Sequence, residues 1–267
     1  MNRAERLAAV LDLLADSGQV EVDDIITKLG VSAATARRDL DTLAEQQLLT
    51  RTRGGAIGQS VAYDLPARYK QERHAPEKLQ IARAASALVT RGDVVGLCGG
   101  TTSTAIAGVL SSRADIAQTS PHANLTVVTN AINIAAQLAM RPQIKTVVTG
   151  GVVHARSYEL VGAYAESVLA QVRLDLAFIG VNGIDPVVGA TVHDEREAAV
   201  NTLMAGRATR AVLVADSSKI GVIAFAALGA LDQFGALDQF SALITDAGIS
   251  AEQLAAFAEA GLEVIVA

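Results

Sequence analysis

Two arginines that follow a run of small residues are the first side chains in this sequence whose types suggest a chemistry. Arg37 and Arg38 come after Ser32-Ala33-Ala34-Thr35-Ala36. Guanidinium groups can donate to phosphate oxygens or to guanine acceptors, Thr35 can donate to a phosphate or a base edge, and small residues let a helix approach closely. An Arg-Arg-Asp run by itself is more often a solvated helix face. The predicted nucleic-acid contacts in this segment are Ser32, Ala33, Thr35, Arg37 and Arg38.

Three predicted helices place these arginines at the start of the last helix of a helix-turn-helix. Apolar residues recur at spacings of three and four along the first helix, which stops at Ser17-Gly18. Asp23 is expected to cap a second helix, Gly30 to end it in a tight turn, and Ser32 to cap a third helix that runs to about Gln46. In this arrangement the second helix of the pair enters the major groove with its N-terminal residues leading.

A strand, a glycine turn and a returning strand are predicted between Leu48 and Ala56. This addition makes the helix-turn-helix a winged one. Arg51 and Arg53 lie on the wing, and we expect them to contact the flanking DNA backbone. The N-terminal module is not net basic, so its non-specific affinity for DNA should be modest and sensitive to salt.

Polar, glycine-rich segments follow several predicted strands in the remainder of the chain. From residue 79 onward, apolar runs alternate with helical segments, which predicts a mostly parallel sheet covered on both faces. Ligands of such sheets bind beyond the carboxyl ends of the strands, where glycines allow close approach and helix N-termini favour anions. Each turn alone is more often structural, but together they predict a pocket for a small phosphorylated, hydroxyl-rich ligand. The predicted contacts from these turns are Gly99, Gly100, Thr101, Thr102, Thr129, Asn130, Gly150, Gly151, Gly180, Gly183 and Lys219.

A group of acids at a predicted helix start is the candidate for proton transfer. Asp194 or Glu197 would act as the base of an isomerase if the pocket held a sugar phosphate, although acids at a helix start also suit the helix dipole. His193 has no second histidine at ligand spacing, so neither a metal nor a cofactor is expected. Cys98 is expected to be a buried strand residue rather than a nucleophile. No catalytic residue is assigned.

Composition bounds the class of protein. The chain has 267 residues, of which 51% are hydrophobic and 19% charged, which excludes a disordered chain. The single cysteine excludes a disulfide framework and fits a reducing compartment. Uncharged stretches are too short or too polar to span a bilayer and the N-terminus has no signal-peptide pattern, so a soluble, cytoplasmic protein is predicted. The net charge of −6 argues mildly against a nucleic-acid partner, but it averages over the whole chain.

The predicted organisation is therefore an N-terminal winged helix-turn-helix domain over residues 1–57, a linker over 58–78 and an α/β domain with a mostly parallel sheet over 79–267.

Two sets of residues together resemble the DeoR family of bacterial sugar-responsive transcription regulators. The N-terminal set is Val31-Ser32, Thr35, Arg37-Arg38-Asp39-Leu40, Leu43 and Arg51 through Arg53-Gly54-Gly55-Ala56. The second set is Gly100-Thr101-Thr102, Thr129-Asn130-Ala131, Gly150-Gly151, Asp175, Phe178-Ile179-Gly180, Gly183, Glu197-Ala198, Asp216, Ser218-Lys219 and Thr245-Asp246. The resemblance covers nearly the whole chain.

The resemblance implies a sensor domain whose fold is related to ribose-phosphate isomerases and CoA transferases. It adds Asp175 and Glu197 to the predicted effector contacts. It also implies a repressor of a sugar catabolic operon that binds double-stranded operator DNA as a homodimer or homotetramer and is released by a phosphorylated sugar. Such a protein is cytoplasmic, associates with the nucleoid when bound to DNA, and is not an enzyme.

The chain departs from the family pattern at two places. The family often has Asp-Ser where this chain has Cys98-Gly99, so an acidic group is missing from that loop. The family usually has Lys where this chain has Asn201, four residues after Glu197.

Two other readings stay open at this point. One is a sugar-phosphate isomerase or transferase that carries a regulatory N-terminal arm. The other is a DNA-binding protein whose second domain serves only for assembly. A turnover assay with sugar phosphates and a ligand screen by thermal shift separate the three.

Overall fold

The computed structural model describes residues 3–17, 19–45, 48–57, 73–229 and 237–267. The chain divides into two compact units, residues 1–73 and 74–267. Most of the predicted linker, residues 58–72, lies outside the described residues. In the parts of the chain that are described, no helix is both long and apolar enough to cross a membrane.

Three helices and a small antiparallel sheet form the N-terminal unit. In chain order they are α1 (Arg3–Ser17), β1 (Gln19–Glu21), α2 (Val22–Leu29), α3 (Ala33–Glu45), β2 (Thr50–Arg51) and β3 (Gly55–Ile57). The sheet order is β1-β3-β2, with β3 antiparallel to both neighbours. The apolar residues predicted to share one face of α1 are buried in a common core with α2 and α3. This arrangement confirms the predicted winged helix-turn-helix.

The start of α2 differs from the prediction, whereas its end agrees with it. The helix begins at Val22, one residue before the expected cap Asp23, and Glu21 is the N-cap. The Asp24 carboxylate accepts a hydrogen bond from the Glu21 backbone N–H at 3.3 Å. Asp24, and not the expected Asp23, is therefore the acid whose side chain bonds the N-cap residue. Gly30 ends the helix with φ +66°, which a glycine adopts without steric cost.

Alternating strands and helices form the C-terminal unit. They are α4 (Ala75–Ala87), β4 (Val94–Leu97), α5 (Thr101–Ser112), α6 (Ala114–Ala117), β5 (Leu125–Thr129), α7 (Ile132–Ala139), β6 (Ile144–Val148), β7 (Val152–His154), β8 (Glu159–Val161), α8 (Ala163–Leu169), β9 (Leu174–Gly180), β10 (Gly183–Asp185), β11 (Gly189–Val192), α9 (Glu195–Gly206), β12 (Ala208–Val214), a 3-10 turn (Ser217–Lys219), β13 (Ala226–Ala227), β14 (Ala242–Thr245), α10 (Ala251–Glu259) and β15 (Glu263–Val266).

Seven of these strands form one parallel sheet in the order β15-β14-β12-β9-β4-β5-β6. Side chains of β9 alternate between two apolar clusters, with Ala177 and Ile179 in one and Leu176 and Phe178 in the other. The predicted sheet with both faces covered is therefore confirmed. The chain reverses its direction across the sheet between β4 and β9, and the carboxyl ends of these two strands flank the switch point at which open α/β sheets bind ligands.

Two short antiparallel sheets were not predicted. β7 and β8 form a hairpin, and β10, β11 and β13 form a three-stranded sheet. Strands of two to four residues are too short for a periodic pattern to be distinguished from a turn.

Candidate functional site

The outer face of α3 carries Arg37 and Arg38. Ala36, Asp39, Leu40 and Leu43 are the buried residues of this helix, whereas both arginines are exposed. Among the described residues, neither guanidinium has a hydrogen-bond or ion-pair partner. Two exposed cations without partners are therefore presented at the beginning of the helix predicted to enter the major groove.

Two polar residues at the start of α3 bond each other. Ser32 Oγ accepts a hydrogen bond from the Thr35 backbone N–H at 3.2 Å, and the two hydroxyl oxygens lie 2.9 Å apart. Ser32 thus caps the helix as predicted. Ala33 is half-buried against the core of the unit.

An ion pair fixes α3 to α1. The buried Asp39 carboxylate accepts from Arg6, with Nη2–Oδ1 at 3.0 Å and Nε–Oδ2 at 2.5 Å. The hydrogen bond with Asp39, opposed in part by burial, raises the pKa of Arg6. This bidentate pair sets the position of α3, and so of the two arginines that precede Asp39 in the chain.

The two arginines of the wing, the hairpin of β2 and β3, have different surroundings. Arg51 Nε donates to Asp41 Oδ1 at 2.8 Å, and its Nη1 donates to the Gly55 carbonyl. Arg53 is exposed and has no such partner among the described residues. The structure thus makes Arg51 a brace between α3 and the wing and leaves Arg53 available at the turn.

Most of the predicted effector contacts meet at the carboxyl edge of the parallel sheet. Gly99 and Gly100 follow β4, Thr101 and Thr102 begin α5, Thr129 ends β5, Asn130 follows it, Gly150 and Gly151 follow β6, Gly180 ends β9, Gly183 begins β10, Glu197 lies in the first turn of α9, and Lys219 ends the 3-10 turn after β12. Direct bonds join neighbouring loops. Cys98 Sγ accepts from the Gly180 backbone N–H at 3.0 Å, and Thr129 Oγ1 donates to the Leu97 carbonyl at 2.7 Å.

Asp175 is not brought together with these residues. It is the second residue of β9, and its Oδ2 accepts from the Val94 backbone N–H at 2.8 Å, at the amino edge of the sheet. Gly180 ends the same strand, about 16 Å away at the usual rise per residue. Asp175 holds β9 to β4 at the opposite edge from the predicted pocket.

Glu159 is a buried residue of this edge that the sequence reasoning missed. Its Oε2 accepts from Asn130 Nδ2 at 2.9 Å, and its side chain lies against Gly99, where an added Cβ would be 2.2 Å from Glu159 Cγ. A carboxylate is therefore present beside the loop in which the family pattern has an acid, but it comes from β8. The same Asn130 Nδ2 lies 3.4 Å from Asn201 Oδ1, so both departures from the family pattern lie around one carboxylate.

A second buried carboxylate joins the β7–β8 hairpin to α9. Glu197 Oε1 lies 2.5 Å from His154 Nδ1 and accepts a hydrogen bond from Ser157 Oγ. Asp194 caps α9 by accepting from the backbone N–H groups of Arg196 and Glu197, and His154 Nε2 lies 3.8 Å from its Oδ2. The hydrogen bond from the Arg196 side chain, together with these backbone bonds, lowers the pKa of Asp194 against the effect of burial. Both candidate bases are thus engaged within the protein.

Cys98 is fully buried at the switch point. Burial raises the pKa of its thiol to about 12, and the nearby Glu159 carboxylate adds to the effect. A thiol of this pKa is not a nucleophile near neutral pH. Across the described residues, no three histidine, cysteine, aspartate or glutamate side chains are grouped to hold a metal ion.

Family models match both units of the chain. A model described as a DeoR-like helix-turn-helix domain matches residues 6–60, and one described as a DeoR C terminal sensor domain matches residues 73–247.

Named relatives match over most of their length. The HTH-type transcriptional repressor GlcR of Bacillus subtilis is 34% identical over 87% of this chain and 86% of its own. The HTH-type transcriptional regulator GlpR of Haloferax volcanii is 32% identical over 98% of this chain and 97% of its own. The glycerol-3-phosphate regulon repressor of Escherichia coli is 29% identical over 86% of this chain and 88% of its own. Among solved structures, ribose 5-phosphate isomerase A of Methanocaldococcus jannaschii aligns with 55% of each chain at 19% identity and a TM-score of 0.38.

Proposed function

The chain belongs to the DeoR family of DNA-binding transcriptional regulators, and on that premise we propose that it represses a carbohydrate catabolic operon and is released from its operator by a phosphorylated sugar. It is a regulator and not an enzyme. Two of the named relatives are repressors. We also propose that it acts in the cytoplasm, associated with the nucleoid when bound to DNA.

The exposed pair Arg37 and Arg38 is the observation that carries the DNA-binding proposal. Asp39, the next residue, is buried and paired, so α3 is held with the two arginines outward, and neither has a partner in the part of the chain that the structure describes. Arg53 at the wing supplies a third cation, and Ser32, Ala33 and Thr35 form the start of the helix. Arg51 contributes by bracing the wing through Asp41.

The effector proposal rests on the carboxyl edge of the parallel sheet. Loops from five neighbouring strands meet there, and Thr101 and Thr102 lie at the N-terminus of α5, where backbone N–H groups favour an anion. One named relative is a glycerol-3-phosphate regulon repressor, which fits a phosphorylated polyol or sugar. Asp175 is left out of the proposed contact set because of its position at the amino edge.

The proposed switch is a change in the relative populations of two states. An effector weakens operator binding only to the extent that it binds the released state more tightly than the DNA-bound state. A homodimer or homotetramer would read half-sites separated by about one helical turn or its multiples. The proposed domain boundaries are residues 1–57 for the DNA reader, 58–78 for the linker and 79–267 for the sensor.

Mobility-shift titrations with the promoter of the adjacent operon test the DNA-binding assignment. The double variant Arg37→Ala, Arg38→Ala is expected to lose specific retardation, because each bidentate arginine contact contributes about 1–3 kcal/mol of base discrimination. The matched control is Arg83→Ala, an exposed arginine on α4. Retardation by the double variant equal to that of wild type would sink the assignment.

A thermal-shift screen of pentose, hexose and glycerol phosphates tests the sensor assignment. A true effector raises the melting temperature by mass action and also reduces operator retardation. The Arg37→Ala, Arg38→Ala variant is expected to keep the thermal shift. If no sugar phosphate changes either measurement, the effector proposal is wrong. Turnover of any of these compounds would instead favour the enzyme alternative.

A further inference from the structure

A cavity of about 270 Å³ lies at the amino edge of the parallel sheet, opposite to the proposed effector site. It lies where the chain enters β9 and β12. Its lining residues are Val172, Arg173, Gly206, Arg207, Ala208 and Thr209. Since Leu174 and Gly180 are the two ends of β9, the two edges of the sheet are about 20 Å apart at the usual strand rise. The cavity is therefore separate from the loops described above.

Two arginines without counter-ions among the described residues line this cavity. Within the described ranges, neither Arg173 nor Arg207 has a side-chain hydrogen bond or ion pair, and Arg207 Nε is shielded from solvent without an acceptor. No acidic residue is among the described residues that line the cavity. The acid nearest in sequence, Asp175, accepts from the Val94 backbone N–H instead. Within the part of the chain that the structure describes, the cavity therefore carries positive charge with which no carboxylate pairs.

In the described ranges, no carboxylate pairs with either of these two arginines. Arg210, further along β12, adds another cation, and its Nε donates to Ser241 Oγ at 3.2 Å. Helix α9 ends at Gly206, and the partial negative charge of its last carbonyls favours a cation at Arg207. Those carbonyls accept hydrogen bonds from the backbone N–H of Arg207 and not from its side chain. The guanidinium Nε–H has no acceptor among the described residues. A shielded donor without an acceptor is costly, and an oxyanion in the cavity would satisfy it.

We propose that Arg173 and Arg207 form an accessory binding site for a compact phosphate anion, either inorganic phosphate or a small phosphate monoester. Planar guanidinium groups match phosphate oxygens in two-point contacts, and the Thr209 hydroxyl adds a donor at the same edge. The cavity is smaller than the roughly 300–1,000 Å³ of pockets that enclose drug-sized ligands, which favours a compact anion. The site is independent of the proposed effector site and needs neither Thr101 nor Asn130.

Isothermal titration of the full-length protein with inorganic phosphate, at constant ionic strength, tests the site. Arg173→Ala is expected to weaken phosphate binding at least about tenfold, because a charge-assisted contact is lost. Arg207→Lys is expected to weaken it to a similar extent, because an ammonium group cannot make the two-point contact of a guanidinium. Arg207→Lys keeps the positive charge at the end of α9, and Arg173 is exposed, so both variants should fold. Arg83→Ala is the matched control and should bind as wild type does. Titration with methyl phosphate in parallel distinguishes a free phosphate from a monoester.

Two further comparisons decide between this site and its alternatives. Thr101→Val, at the proposed effector site, should leave the titration unchanged, and the Arg173→Ala, Arg207→Lys double variant should keep its affinity for operator DNA. The proposal is overturned if wild type does not bind phosphate, if the arginine variants bind it as tightly as wild type, or if Thr101→Val abolishes the binding. A loss of operator affinity in the double variant would overturn it in favour of a DNA contact.

Discussion

At the scale of single residues, the partners of each charged side chain separate binding roles from structural ones. The sequence presents Arg37, Arg38 and Asp39 as one charged run. In the structure the two arginines are exposed and have no partners among the described residues, whereas Asp39 is buried and forms an ion pair with Arg6. On the wing, Arg51 is paired, and Arg53 has no partner within the described ranges. Residue type alone does not make this distinction, because the partners lie on other elements.

Cys98 gives the residue-scale prediction. Alkylation of the native protein at pH 8 should be about a thousandfold slower than that of the unfolded chain, since burial raises the thiol pKa from 9.0 to about 12 and each unit removes a factor of ten in thiolate. The rate of iodoacetamide labelling, followed by mass spectrometry with and without denaturant, measures this difference.

The same pKa shift has a consequence for stability. Below pH 9 this thiol leaves the free energy of unfolding unaffected, because it is protonated in both states. As pH rises from about 9 towards 12, the unfolded chain ionises first and stability declines. In the labelling experiment, equal rates for the native and the unfolded protein at pH 8 would contradict the burial of Cys98.

At the scale of elements, long-range polar contacts fix the two helices on which the proposed sites depend. The pair of Arg6 and Asp39 joins α3 to α1. Glu197, bonded by His154 and Ser157, joins α9 to the β7–β8 hairpin. The strand-end turns at Ser217 and Asp246 are also joined. Burial opposes ionisation of Asp246, but bonds from the Ser217 and Gly248 backbone N–H groups outweigh it and lower its pKa.

The anchor of α3 gives the element-scale prediction. Asp39→Ala is expected to lower the free energy of unfolding by about 2 kcal/mol, because two charge-assisted hydrogen bonds from Arg6 are lost. The matched control is Asp41→Ala on the same helix, whose side chain is 59% exposed and pairs with Arg51. Exposed pairs contribute about 0–1 kcal/mol, so the control should unfold nearly as wild type does. Urea denaturation followed by circular dichroism measures both, and equal losses would show that the buried pair is not the anchor.

At the scale of the whole molecule, the two units carry different chemistry. The net charge of −6 averages over a DNA-binding unit with a few exposed arginines and a sensor unit rich in aliphatic strands. Effector and operator are proposed to bind to different units, so their coupling is a property of the whole chain.

Reciprocal coupling gives the whole-molecule prediction. Saturating operator DNA should weaken effector binding by the same factor by which the effector weakens operator binding, because linkage makes the two factors equal. Fluorescence anisotropy of labelled operator and calorimetric titration of effector measure the two factors. In the Arg37→Ala, Arg38→Ala variant, operator DNA should leave effector affinity unchanged. Operator DNA that leaves effector affinity unchanged in wild type would contradict the proposed coupling between the two units.

Patterns close together in the sequence were enough to predict most of the fold. The 3.6-residue period and the caps predicted the three N-terminal helices, and apolar runs that alternate with helical segments predicted the mostly parallel sheet covered on both faces. The described elements that were missed are pieces of two to four residues, among them β7, β8, β10, β11, β13, α6 and the 3-10 turn. Local backbone preferences and burial patterns act over one turn or one strand, so they can be read from neighbouring residues.

Contacts between distant residues were decided by the tertiary structure alone. Glu159 is placed against Gly99, 60 residues earlier, because Gly99 has no side chain to exclude it. Asp175 belongs to a motif near Gly180 but lies at the other edge of the sheet, because a seven-residue strand separates its two ends. Arg173 and Arg207 share a cavity because β9 and β12 pair in parallel with Leu174 beside Ala208. The sequence determined the elements and the kind of protein, and the packing of those elements decided which side chains meet, because that depends on strand order and register rather than on spacing along the chain.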